Sequence, residues 1–106
     1  MTDALIVFCT CSSREEALLL AHSIVSANAA ACVNVIPAVE SIYRWQGKIE
    51  TTQEILLLIK TTRDHFHTLR DLVVKLHSYE TPEIIAVPVT DGLAQYLSWL
   101  GATIAT

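Results

Sequence analysis

The chain has 106 residues, 52% of them hydrophobic and only 17% charged, with a net charge of −4 and a pI near 5.4. That length suits one domain, the composition excludes disorder, and the acidic balance argues against nucleic acid, whose phosphates call for clustered Lys and Arg. No apolar run approaches the roughly 20 residues that span a bilayer; Met1-Thr2-Asp3 is no basic leader, and an odd count of three cysteines fits free thiols in a cytoplasmic protein better than a disulfide framework.

Ala4 to Cys11 is a continuous apolar run of β-formers and predicts a central strand. Ser12 with Glu15, or Ser13 with Glu16, makes a capping box. Ala17, Leu20, Ala21, Ile24 and Val25 then recur at helical spacing until a stop near Asn28, a residue that tolerates a left-handed C-terminal position. Strand character returns over Cys32 to Ile36, and Pro37 marks an edge or a bulge. Val39, Ser41, Tyr43 and Trp45 share one face, Gln46-Gly47-Lys48 turns the chain, and Ile49 to Thr61 runs back into the core.

Thr62 or Asp64 is placed to cap a second helix with the apolar stripe Phe66, Leu69, Leu72, Val73 and Leu76. Pro82 separates it from a strand over Glu83 to Val89, where Pro88 points to an edge position. Asp91-Gly92 leads into a short last helix carrying Leu93, Tyr96, Leu97, Trp99 and Leu100.

The order is that of an α+β, ferredoxin-like βαββαβ sandwich with a long β-hairpin and a short C-terminal helix, one domain over residues 1–106. Right-handed crossovers put the first two helices on one face of the sheet. Each hairpin arm, Val33 to Trp45 and Ile49 to Thr61, would reach roughly 40 Å at the strand rise, against a radius of gyration of about 13 Å for a globule of this size. The tip is therefore expected to project beyond the core and to bury Tyr43 and Trp45 against another subunit, because a lone two-stranded ribbon is marginal in water. The alternative is that Pro37 breaks the arm into two shorter strands that fold back.

Several stretches together resemble the CutA family of divalent-cation tolerance proteins. They are Phe8-Cys9-Thr10, Ala30-Ala31-Cys32-Val33-Asn34, the block Ile42 to Lys48, Leu58-Ile59-Lys60-Thr61-Thr62, the block His77 to Ile84, and Tyr96-Leu97-Ser98-Trp99-Leu100. The resemblance implies a ferredoxin-like homotrimer, related in architecture to PII signalling proteins, whose hairpins bridge subunits. It also implies copper binding, at low affinity, and a part in the response to divalent metal ions. The metal residues it implies are Cys9 and His77, with Cys32 nearby.

Two positions depart from the family's pattern. Ser78 stands where many relatives have proline, which predicts a looser loop. Leu76 stands where some have a second histidine, which predicts weaker binding.

Read without the resemblance, the cysteines fit buried small hydrophobes, since no tight ligand spacing is present. Cys11 shares the face of Cys9, because strand side chains repeat every two residues, and thiolate and imidazole donors suit copper. His77 ends the second helix, whose dipole would favour its protonated form. His65 and His67 diverge by about 200° on a helix and cannot chelate one ion, and His22 lies on a polar helix face. Lys60, Tyr79, Glu80 and Glu83, with Trp45, are candidates for a cleft between subunits; no nucleophile or orienting partner accompanies the carboxylates, so an enzyme is the least supported class. Besides a metal-binding trimer, a PII-like trimer binding a small ligand and an assembly scaffold are open readings.

Overall fold

Alternation decides the first strand. In the computed structural model, which describes residues 2–105, Leu5, Val7, Cys9 and Cys11 of β1 (Ala4–Cys11) turn to one face and are buried. Ser13 then caps α1 (Arg14–Ser26), its hydroxyl accepting the Glu16 amide at 3.1 Å, while the Glu16 carboxylate reaches back to the Ser12 amide. Ala17, Leu20, Ala21 and Ile24 face the sheet, whereas Val25 is exposed. Asn28 takes φ 56° just past the helix, the left-handed conformation that its short polar side chain tolerates.

Next come β2 (Cys32–Trp45), β3 (Lys48–Thr62), a 3₁₀ turn (Arg63–His65), α2 (Phe66–Leu76), β4 (Ile85–Pro88) and α3 (Ala94–Ile104). The sheet order is β2-β3-β1-β4 with every neighbouring pair antiparallel, the ferredoxin-like arrangement. β4 is an edge strand, which is why Pro88 is accommodated. It is shorter than the predicted Glu83 to Val89, although the Val89 amide still bonds the Ala4 carbonyl at 3.1 Å. α2 lacks the predicted side-chain cap: the Thr62 hydroxyl instead bonds His65 Nδ1 at 2.8 Å.

Leu5, Val7 and Cys9 meet Leu20 and Ile24 of α1 and Leu69 and Val73 of α2 in the main core. The other face is covered only in part. Leu100 and Ile104 of α3 pack on Ala4 and Ala31 at one end, and Lys60 Nζ lies 5.6 Å from the Tyr96 ring centre. Ile85, Val87, Tyr96 and Trp99 on that side remain exposed. Buried Thr61 ties the end of β3 to the loop after α1 through a 2.6 Å bond to the Ala29 carbonyl.

The hairpin does not fold back. β2 stays continuous through a register shift between Ile36 and Val39, where Ala38 takes φ 61°; this is a bulge at Pro37-Ala38 rather than a break. Gln46 and Gly47, at φ 50° and 79°, form a two-residue turn between Trp45 and Lys48. The molecule measures 44 × 25 × 22 Å, long in one direction only. At the tip Ile42, Trp45 and Ile49 are 68%, 60% and 70% exposed.

Candidate metal centre

Three side chains from two elements converge at the end of β1. Cys9 and Cys11 point from the strand into the core, and His77 follows α2 as its C-terminal cap residue. One donor atom from each lies within 4.8 Å of the others, and all three residues are buried. A strand supplies the two sulfurs because residues two apart share a face. The helix end supplies the imidazole because the chain must leave the last turn just over that face, held by the His77 amide on the Val73 carbonyl at 2.8 Å.

The imidazole is fixed from both sides. Nδ1 accepts the Tyr79 amide at 3.0 Å, so the ring proton sits on Nε2, 2.7 Å from the Thr10 carbonyl that accepts it. The Tyr79 amide, a donor aimed at Nδ1, thus decides which ring nitrogen carries a proton toward Thr10. Of the two bonds, only exchange of the Tyr79 one would leave an N–H on a backbone carbonyl, the usual outer partner of a ligating histidine.

Glu16 is the residue whose role at this site the sequence did not suggest. Beyond its capping amide, its carboxylate accepts the Ser12 amide and hydroxyl at 3.2 Å each through Oε1 and the Ser78 amide at 2.7 Å through Oε2. Oε2 is 3.7 Å from His77 Nδ1. Burial alone would raise this carboxyl, but the hydrogen bonds from Ser78 and Ser12 outweigh it and hold the group below its ordinary range. The loop after α2 is therefore pinned, not loosened, by the serine at 78, since proline has no amide hydrogen to give. A glutamate three residues past a cap, next to a Cys-containing strand, was the signal available.

The Cys9 thiol is pushed far up by its hydrogen bond with Cys11, by burial, and by the negative potential of Cys11, Glu83 and Glu16. Tyr79, raised by burial and by its bond to Glu54, donates its hydroxyl to that carboxylate at 2.7 Å, linking the pinned loop to the base of the hairpin. The donor set of two sulfurs and one imidazole nitrogen in apolar surroundings fits a soft metal ion. Cys9, Cys11 and His77 would hold it, and it would supply charge to a site otherwise hostile to thiolate.

Within one copy of the chain, Cys32 lies apart from Cys9 and His77. Cys9 pairs with Leu57 and Leu57 with Val35, so that row faces the helices. Cys32 belongs to the row of Lys60 and Ile6, on the opposite face and three residues further along β2, roughly 10 Å.

A family model described as CutA1 divalent ion tolerance protein matches residues 5–103. The chain belongs to that family. It is 46% identical over 95 residues to the divalent-cation tolerance protein CutA of Thermus thermophilus, covering 90% of this chain and 92% of that one. It is 43% identical over 97 residues to the chloroplastic protein CutA of Arabidopsis thaliana, of whose longer chain it spans 53%. The crystal structure of CutA from Xylella fastidiosa superimposes with a TM-score of 0.94 at 45% identity, over 97% of this chain and 99% of that one.

Within one copy of this CutA1 chain the cleft candidates do not converge. Trp45 sits at the hairpin tip and Lys60 about twelve residues up β3 from Lys48, roughly 40 Å away at the strand rise. Lys60 lies over Tyr96 on the open sheet face, Tyr79 bonds Glu54, and Glu80 and Glu83 are exposed on the loop before β4. His22 and His67 are exposed, and His65 is engaged by Thr62.

Proposed function

We propose that this CutA1 chain is a non-catalytic, cytoplasmic homotrimer that binds copper and serves the cell's response to metal ions. The convergence of Cys9 and His77, from the first strand and the end of the second helix, in one buried donor cluster carries this reading. A cysteine beside a histidine is also the start of a nucleophilic catalyst, but here the thiol is held protonated and buried, out of reach of a substrate. The apolar hairpin tip and the half-covered sheet face support assembly, being more apolar surface than a lone small domain leaves open.

Equilibrium dialysis against copper tests the binding. Wild type is expected to retain copper, and Cys9→Ser and His77→Ala are each expected to lose it while keeping the same mass by light scattering. Undiminished copper in both variants would remove this site from the function. A wild-type mass equal to one chain would remove the trimer.

A further inference from the structure

Cys11 is the member of the cluster that neither the family resemblance nor any relative's name supplies, and it changes what the cluster can hold. We propose that Cys11 is a metal ligand of this chain, and that with it the Cys9–Cys11–His77 cluster takes a soft monovalent d¹⁰ cation, Cu(I), in preference to a divalent one. This rests on the reading of the cluster as a metal site and goes beyond it by assigning the third donor and the oxidation state.

The donor count argues for it first. Zinc in a closed protein site takes four ligands, and among the described residues the cluster brings together three. Of the two carboxylates whose charge reaches Cys9, Glu16 spends one oxygen on Ser12 and the other on Ser78, and Glu83 is exposed on the loop before β4. A water as fourth ligand is disfavoured, because Cys9 and Cys11 have no solvent exposure. Hard divalent ions seek oxygen donors and Cu(II) prefers nitrogen and oxygen, whereas thiolates select Cu(I), which is content with few donors.

Rigidity argues second. Both sulfurs project from the end of β1, which stays paired with β3 through Cys11, so their separation is set by the backbone rather than by a mobile loop. His77 is held by bonds at both ring nitrogens and can take part by exchanging a single one of them. Coordination replaces thiol protons, which leave to buffer; no electron moves, because the ion arrives already as Cu(I).

The test uses the full chain, kept reduced and free of oxygen. Cu(I) is delivered from a colorimetric chelator, with Ag(I) as a redox-inert stand-in and Zn(II) and Cu(II) as competitors. X-ray absorption at the copper edge of the wild-type protein is expected to count two sulfurs per ion. Cys11→Ser and Cys11→Ala are expected to weaken Ag(I) and Cu(I) by at least about tenfold, the scale at which even the outer partners of a metal ligand matter. Cys32→Ser is expected to change neither. One sulfur in the wild-type spectrum, or a divalent ion displacing Ag(I) mole for mole, overturns the inference while leaving a copper-binding protein in place. If the wild type retains none of these ions, both the inference and the proposed function fall. The wild-type spectrum does not depend on whether either Cys11 variant folds.

Discussion

The cluster at the end of β1 and the tip of the hairpin are two polar–apolar problems solved in opposite ways. Around His77 the polar groups have partners inside the chain: the Thr10 carbonyl accepts, the Tyr79, Ser12 and Ser78 amides donate, and the apolar shell closes over both sulfurs. At the tip the turn is well formed and the ladder unbroken to Trp45 and Lys48, yet Ile42, Trp45 and Ile49 stand in water. The first region is complete in a single copy. The second has its backbone hydrogen bonds but not its burial, the condition in which a lone two-stranded ribbon is marginal in water. Backbone pairing and side-chain burial are thus separable: the ribbon is specified by its turn and register before any apolar surface is hidden.

Four changes would test that contrast, beginning with the strongest. Placing charge at the tip with Ile42→Glu and Ile49→Glu together should cost assembly about 3–6 kcal/mol per subunit, from two isoleucines no longer buried. Light scattering should then report single chains, and an unchanged mass would mean the tip is not the joint. In the cluster, His77→Ala should lower stability to urea by about 3 kcal/mol, because it strands the Thr10 carbonyl and the Tyr79 amide in a buried place. A loss below 1 kcal/mol would show that water reaches both groups.

Glu16→Gln should cost about 1–2 kcal/mol at neutral pH, from weakened charge-assisted bonds to Ser12 and Ser78. Its folded pKa is lowered from the ordinary 4.5, so the carboxylate's contribution is full above that value and is lost as pH falls through the folded one. Wild type and variant should therefore converge in urea titrations only once the pH has fallen through that lowered folded value. A gap that persists there would assign the loss to shape rather than charge; the facing titratable groups His77 and Tyr79 are common to both proteins. Smallest is Gly47→Ala, expected to cost about 1 kcal/mol because its φ of 79° is left-handed, although a methyl there meets no neighbouring atom. A measured change near zero would show that the turn relaxes.

Much of this was legible in the residues. The β1 limits Ala4 and Cys11, the left-handed Asn28, the bulge at Pro37 and the edge position of Pro88 each follow from a local preference that the fold had no reason to override. Cys11 was legible as well, since parity alone puts it beside Cys9. Cys32 was not: its face depends on how β2 meets β3 and β3 meets β1, a relation between strands that no local pattern carries. Glu16 shows a different limit. Its capping amide is a short-range feature, but its carboxylate reaches Ser78 across 62 residues, and only folding reveals that the two share a site.

The extra residue at Pro37-Ala38 has one more effect. Before it, odd-numbered residues of β2 pair with odd-numbered residues of β3, as Val35 does with Leu57; after it, odd meets even, as Tyr43 meets Glu50. The inserted position thus acts as a half-turn in the strand's alternation, moving Tyr43 and Trp45 from the side of the helices to the side of Ile36, Leu56 and Leu58. With Trp45 held opposite Lys48 by the turn, deleting Ala38 would restore plain alternation and leave both aromatics on that side, across the ribbon from Ile42 and Ile49.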